Sequence, residues 1–172
     1  ASKERRPVHG FRGYESTAMK SSSFVYHTPK SVPDALDLLA ALADEDPRII
    51  AGGQSLVPMM AFRMAQPGHL IDINGIEALG TIRVIENELL VGALVRHAQF
   101  EKLVVDGPLG QLLSKVAHHI AHAPIRTRGT FCGSLAHADP ASEWCLTAVT
   151  LGAMLDARSK SATRLISADE LL

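Results

Sequence analysis

The stretch Arg126-Thr127-Arg128-Gly129-Thr130-Phe131-Cys132-Gly133-Ser134-Leu135-Ala136-His137-Ala138-Asp139-Pro140-Ala141-Ser142-Glu143 decides how this chain is read. It mixes glycines and hydroxyl side chains with Arg126 and Arg128, and it ends in Asp139-Pro140, where Asp139 can cap a new helix and Pro140 suits its first position. It reads as a loop whose backbone N–H groups are available to an anion. Its companion is Ile49-Ile50-Ala51-Gly52-Gly53-Gln54-Ser55-Leu56, where a short apolar run breaks at a glycine pair ahead of a helix-compatible segment. Two such loops can hold one diphosphate between them.

Working outward, the first half alternates strand and helix. Phe24-Val25-Tyr26 is a short strand, and Ser31 caps a helix with Asp34 in its first turn and Val32, Ala35, Leu36, Leu39, Leu42 and Ala43 on the helical period. Asp44-Glu45-Asp46-Pro47 ends that helix, and Arg48-Ile49-Ile50-Ala51 reads as a buried strand running into the glycine pair. Ser55 to Met64 reads as a helix closed by Pro67-Gly68, and His69-Leu70-Ile71-Asp72-Ile73 as a third strand. Strand, helix, strand in so few residues predicts a small parallel unit.

The style then changes. Thr81 to Ile85 and Leu89 to Gly92, around Glu86-Asn87-Glu88, predict a hairpin. Helices are expected at Ala98 to Val105, Leu109 to Ala123 and about Pro140 to Gly152. Ala153 to Ala157 and Thr163 to Ile166 predict a last hairpin, and Ser167-Ala168-Asp169-Glu170 the start of another helix. The fold class is therefore α+β, with a small α/β lobe at residues 19–77 and a second α+β lobe at 78–172. Residues 1 to 18, basic and without apolar periodicity, read as a flexible extension or leader, with Met19 as a plausible original start.

Composition narrows the function. With 47% hydrophobic and 20% charged residues, the usage is ordinary for a globular domain. A formal charge of -1 offers no general attraction to nucleic acid or acidic membranes. Cys132 and Cys145 are too few for a disulfide framework or an iron–sulfur cluster within the chain, and they point to a reducing, cytoplasmic compartment. The most apolar run, Leu89 to Val95, stops at Arg96 and is far too short to span a bilayer.

Several chemistries are missing. Neither loop ends in the Gly-Lys-Ser/Thr of a phosphate-hydrolysing P-loop, and no G-x-G-x-x-G follows a strand. His118 and His122, one helical turn apart on the expected helix, could chelate a metal with His119 or His137 as a third ligand; lacking an acidic or cysteine ligand at matching spacing, they read as a polar helix face. Cys132 either packs or has its pKa lowered by a helix N-terminus. Glu143 either stabilises the first turn of its helix or meets ligand hydroxyls, and Trp144 reads as core. Taken alone, each glycine pair is a tight turn.

With both loops in view, the sequence resembles the FAD-binding medium subunits of molybdenum hydroxylases, of the aerobic carbon monoxide dehydrogenase and xanthine dehydrogenase type. The residues that carry the resemblance are Ala51-Gly52-Gly53-Gln54-Ser55-Leu56, Leu70-Ile71-Asp72-Ile73, Gly92-Ala93, His122 through Thr130, and Gly133 through Glu143. It implies a PCMH-type FAD-binding fold, with non-covalent FAD between a small α/β lobe and a larger lobe of antiparallel sheet and helices. Carried over residue by residue, Ile50, Ala51, Gly52, Gly53, Gln54, Ser55 and Leu56 and then Thr130, Phe131, Cys132, Gly133 and Ser134 would cradle the pyrophosphate. His137 and Glu143 would lie near the ribityl and phosphate end. A side chain at Gly53 would then occupy the approach path of the phosphates.

The resemblance further implies a partner small subunit with 2Fe–2S clusters, a partner large subunit with a molybdopterin cofactor, and an external acceptor such as a quinone, oxygen or NAD. No catalytic acid or base is expected, because the cofactor carries the redox chemistry. Two departures stand out. The family pattern Thr-Ile-Gly-Gly is here Thr130-Phe131-Cys132-Gly133, so a positive φ at the first glycine position would strain Cys132 or shift the loop. The family's C-terminal domain is also absent from this sequence, which leaves a non-catalytic flavin-binding, nucleotide-binding or assembly module as the alternative. The UDP-N-acetylenolpyruvoylglucosamine reductases share the flavin fold, but their substrate domain has no counterpart in this sequence.

Overall fold

The computed structural model describes residues 20–172; the extension expected at residues 1 to 18, and Met19, lie outside them. The chain begins with β1 (Val25–His27) and α1 (Val32–Ala41). Ser31 caps α1 by accepting a hydrogen bond from Asp34 N at 3.2 Å. A 3-10 turn (Ala43–Glu45) ends at Asp46 with φ 49°, and Pro47 opens β2 (Pro47–Ile50). The chain crosses through α2 (Leu56–Ala61) to β3 (His69–Asp72). The expected helix to Met64 stops early because Arg63 adopts φ 57°.

All three strands are parallel in the order β1-β3-β2, with Val25 and Pro47 both opposite His69. That order corrects one expectation. Arg48 to Ala51 was expected as a buried strand, but β2 is an edge: Ile49 is 45% exposed, whereas its neighbour Ile71 on the central strand is 0% exposed. The apolar side chains of α1 close one cluster over β3, in which Ala35, Ile71, Ile73, Ile76 and Leu94 are buried.

After a 3-10 turn (Glu77–Gly80), β4 (Ile82–Ile85) and β5 (Glu88–Val91) form the expected hairpin. Its two-residue turn, Glu86-Asn87, has φ 48° and 75°, the left-handed pair that matches strand twist. Past β5 the chain passes from one core to the other between adjacent residues, Leu94 in the first and Val95 in the second.

The second core holds Phe100, Leu113, Ala117, Leu135, Trp144, Cys145 and Ala148. The helix expected at Ala98 to Val105 is only a 3-10 turn (His97–Glu101), since Lys102 returns to extended backbone once Phe100 is buried. Then follow α3 (Gly107–His119), α4 (Ala123–Arg126), α5 (Phe131–His137), α6 (Glu143–Thr150), the hairpin β6 (Met154–Arg158) with β7 (Thr163–Ser167), and α7 (Ala168–Leu171).

The stretch expected as one loop, Arg126 to Glu143, is thus half helical: Thr130 caps α5, its Oγ1 accepting from Gly133 N at 3.1 Å. Asp139 does not cap the next helix. Its Oδ1 accepts from Ala141 N at 2.8 Å in a local turn that takes up Pro140, so α6 starts three residues later, behind Ser142. Among the described residues no helix is long and apolar enough to cross a membrane.

Candidate functional site

Ile50 ends β2, its carbonyl accepting from Ile73 N at 3.2 Å, and the first loop leaves the sheet at Ala51. Three of its carbonyls are engaged within the protein. Gly52 O accepts from Gln54 Nε2 at 3.1 Å, Gly53 O from Val57 N at 3.0 Å and Ser55 O from Met59 N at 3.1 Å. Among the described residues, the N–H groups of Gly52, Gly53, Gln54 and Ser55 donate to no protein acceptor. Gly53 has φ +69°. A glycine at positive φ within a run of free N–H groups is how a backbone forms an anion-binding concavity. Leu56 is the first residue of α2, whose dipole adds to the same field.

The two loops meet. A Cβ at Gly52 would stand 2.4 Å from Arg128 O and 2.8 Å from Gly129 Cα, so only a glycine lets the backbones approach this closely. At Gly53 the neighbours of a Cβ would be side chains rather than backbone, Val57 Cγ2 at 3.1 Å and Ile50 Cδ1 at 3.3 Å.

The second loop is committed to the protein. His97 N donates to Gly129 O at 3.0 Å, Phe131 N to Val95 O at 2.9 Å, and Arg96 faces Thr130 as an isolated antiparallel bridge. Gly133 N and Ser134 N both donate to Thr130, to Oγ1 and O. Thr130 N and Cys132 N are then the two amides of Thr130 to Ser134 without a protein acceptor among the described residues, so the expected second cradle keeps two donors free where Gly52 to Ser55 keep four.

Phe131 turns its ring into the core, with centroids 4.9 Å from Trp144 and 5.6 Å from Phe100. Cys132 sits in helical backbone without positive φ, so the anticipated strain is absent. Burial pushes its thiol up to about 11, which overrides any lowering by the helix end. His137 lies exposed in the last turn of α5, and Glu143 half-buried in the first turn of α6. No hydrogen bond joins either side chain to the loops among the described residues. The histidine pair is not on one helix: α3 ends at His119, Ala121 turns at φ 39°, and His122 caps α4.

Three side chains outside the expected set frame the junction. Asn74 donates from Nδ2 to Ala51 O at 2.8 Å, and Arg96 donates from Nη2 to Asn74 Oδ1 at 2.5 Å and from Nη1 to Arg128 O. His97, 4% exposed, lies beneath the second loop, where a Cβ on Gly129 would be 2.4 Å from its Nε2. Its Nδ1 accepts from Trp144 Nε1 at 2.9 Å, which fixes the remaining proton on Nε2. Burial, and then the Arg96 charge, push its pKa down from 6.5 to about 4.

Asp72 supports Asn74, accepting from its N at 2.8 Å and its Nδ2 at 2.5 Å as well as from Tyr26 OH. Burial raises the carboxyl, but these hydrogen bonds and the Arg96 charge outweigh it and hold Asp72 below its ordinary value. An open groove of about 570 Å³, lined by Arg96, Lys102, Thr127 and Ile82 among others, runs beside the second loop. The sequence signals for these residues were slight: Asn74 follows Leu70-Ile71-Asp72-Ile73, and Arg96 is the charge that ends an apolar run.

Known proteins share this fold. The chain is 40% identical over 153 residues to the nicotine 6-hydroxylase medium subunit of Paenarthrobacter nicotinovorans, a match covering 89% of this chain and 53% of that one. It is 37% identical over 150 residues to the carbon monoxide dehydrogenase medium chain of Hydrogenophaga pseudoflava, covering 85% and 50%. It therefore spans about half the length of the curated relatives it matches. Among solved structures, the carbon monoxide dehydrogenase of Hydrogenophaga pseudoflava superposes with a TM-score of 0.81 at 37% identity, over 87% of this chain and 52% of that one. Quinoline 2-oxidoreductase from Pseudomonas putida 86 gives 0.78 at 39% identity, again over 87% and 52%. Residues 19–172 match the family described as the FAD binding domain in molybdopterin dehydrogenase, and the chain belongs to that family.

Proposed function

We propose that this chain binds FAD non-covalently and serves as an electron-transfer module of a molybdenum hydroxylase. The observation that carries this reading is the run of four free amides from Gly52 to Ser55, seated by backbone contact on Arg128 and Gly129. Such a run suits a diphosphate, whose charge and acceptor oxygens match converging N–H groups. Ile50 to Leu56, with Thr130 to Ser134 supporting them from beneath, form the proposed binding set between the lobes at 19–77 and 78–172, with His137 and Glu143 toward the ribityl and phosphate end. FAD, when bound, supplies the redox chemistry. The chain's own tasks are to hold the phosphates and to orient the cofactor.

The relatives are medium chains and subunits of complexes. By extension, this chain's proposed partners are an iron–sulfur small subunit that delivers electrons and a molybdopterin large subunit, with an external acceptor receiving the electrons from the flavin. A second reading, a non-catalytic flavin-binding, nucleotide-binding or assembly module, is favoured by one observation: the second loop's amides are mostly committed to the protein. Titrating the full chain with FAD tests the cofactor, and co-purification separates the readings, a stable complex containing molybdenum and iron supporting the first and a lone colourless oligomer the second. The first reading expects flavin absorbance that follows the protein through gel filtration and is released on denaturation. A chain that stays colourless after reconstitution, and captures neither molybdenum nor iron on co-purification, would overturn it.

A further inference from the structure

We infer that Arg96 and Asn74 are positioning residues, a bracket that fixes the two loops against each other so that the free amides of the first stand ready for the ligand. The inference rests on the FAD reading. The loop needs such support. It leaves an edge strand, its four amides make no internal bonds, and its contact with the second loop through Gly52 is purely steric. The polar tie is a chain of four groups: Ala51 O, the Asn74 side chain, the Arg96 guanidinium and Arg128 O. Arg128 O is also the atom nearest to a Cβ on Gly52, so the guanidinium holds the very carbonyl on which the first loop rests.

Each member is itself fixed. Asn74 can satisfy these partners in one orientation only, amide nitrogen toward Ala51 O and Asp72 Oδ1 and oxygen toward Arg96, because the flipped amide would aim donors at a guanidinium. Arg96 is anchored through its backbone, with its N donating to Gln99 Oε1 at 2.7 Å and its residue bridged to Thr130. Removing its side chain therefore leaves the strand-like pairing in place. The planar fork reaches two acceptors on different segments, which a lysine ammonium on a flexible stem does not reproduce. A loop held in its binding geometry loses less freedom on binding, and that difference appears as affinity.

The test uses the full chain with Arg96→Ala, Arg96→Lys, Asn74→Ala and the Arg96→Ala/Asn74→Ala double variant. FAD affinity is measured by titration calorimetry, and backbone order parameters of Gly52 to Ser55 are measured by NMR without FAD. Each single variant is expected to weaken FAD binding about tenfold or more, the size associated with one charge-assisted hydrogen bond. Arg96→Lys should not restore it, and the double variant should be no weaker than the weaker single one, because both act through one tie. Order parameters of the loop should fall while those of α3 hold.

Single variants that bind FAD like the parent, effects that add in the double variant, or rescue by lysine would each overturn the bracket. Should Arg96→Ala fail to fold, Asn74→Ala at its exposed position carries the test alone. Should the parent chain itself not bind FAD, the FAD reading fails. The order parameters then still judge the bracket: a loop equally rigid in Asn74→Ala refutes it.

Discussion

The two glycine-bearing loops look alike in sequence and differ in what their backbones have left to give. Both follow extended backbone, both lead into a short helix, and both place a glycine where another chain segment leaves no room for a side chain. Yet Gly52 to Ser55 keep four N–H groups free, whereas Phe131, Gly133 and Ser134 direct theirs to Val95 and Thr130. The difference follows from position. The first loop leaves an edge strand and is partly open, while Gly129 and Thr130 lie buried over His97. The second loop thus spends three of the five amides from Thr130 to Ser134 on the protein, and on the proposed reading it serves as the floor while the first loop receives the ligand.

Glycine substitutions should separate receiver from floor most strongly. In Gly52→Ala the new Cβ meets Arg128 O at 2.4 Å, backbone against backbone, and the loops must part. The expected outcome is loss of flavin retention together with a fall in stability of about 1–3 kcal/mol, the range for overpacking. Gly53→Ala acts differently: its Cβ faces Val57 and Ile50, so the main penalty is left-handed strain of roughly 1–2 kcal/mol, and FAD binding should weaken far less. Urea unfolding alongside flavin absorbance checks both. Equal loss of cofactor in the two variants would erase the distinction drawn between these neighbours.

The floor should also show in the pH dependence of stability. His97 is held neutral, its pKa lowered from 6.5 to about 4, so below pH 6.5 the unfolded chain binds a proton that the folded chain refuses. Stability is therefore fully present above about pH 6.5 and declines as the pH falls toward 4, by at most about 3 kcal/mol over the window. Below about pH 4 this residue adds no further slope. His97→Gln should flatten the slope between pH 4 and 6.5 when unfolding free energy is measured across it. A parent chain with no slope there would mean that the ring is solvated and the floor is loose.

How much of this was legible in the sequence depended on whether a feature was local. Ser31 with Asp34, the Glu86-Asn87 turn and the Trp144 core position are set by neighbours along the chain, and the structure places each as the sequence suggests. The glycine pairs were visible too, because a glycine ahead of a helix is a local signal. The exposure of β2 is not legible locally, because Ile49 and Ile50 look like any core pair until strand order puts β3 in the middle. Arg126 to Glu143 looks like open loop in sequence because its helix is only seven residues long and its cap, Thr130, sits among other hydroxyl and glycine residues. The bracket was illegible for a different reason: Asn74, Arg96 and Arg128 are joined only by tertiary contact, and no spacing rule links them.

Smaller effects test the floor from within. Thr130→Ala removes the cap of α5 and leaves Gly133 N without its acceptor, with an expected loss of about 1 kcal/mol. FAD affinity should change little if the loop supports and does not receive. A glycine at position 132 gives the finest comparison. Cys132 lies in ordinary helical backbone, so Cys132→Gly relieves no strain; it adds backbone freedom within a helix and removes a half-buried side chain. Stability should fall by about 1 kcal/mol at most, with FAD affinity unchanged within error. If the variant instead melted higher and bound FAD more tightly, position 132 would need a backbone conformation that a side chain resists, and the second loop would be a receiver after all.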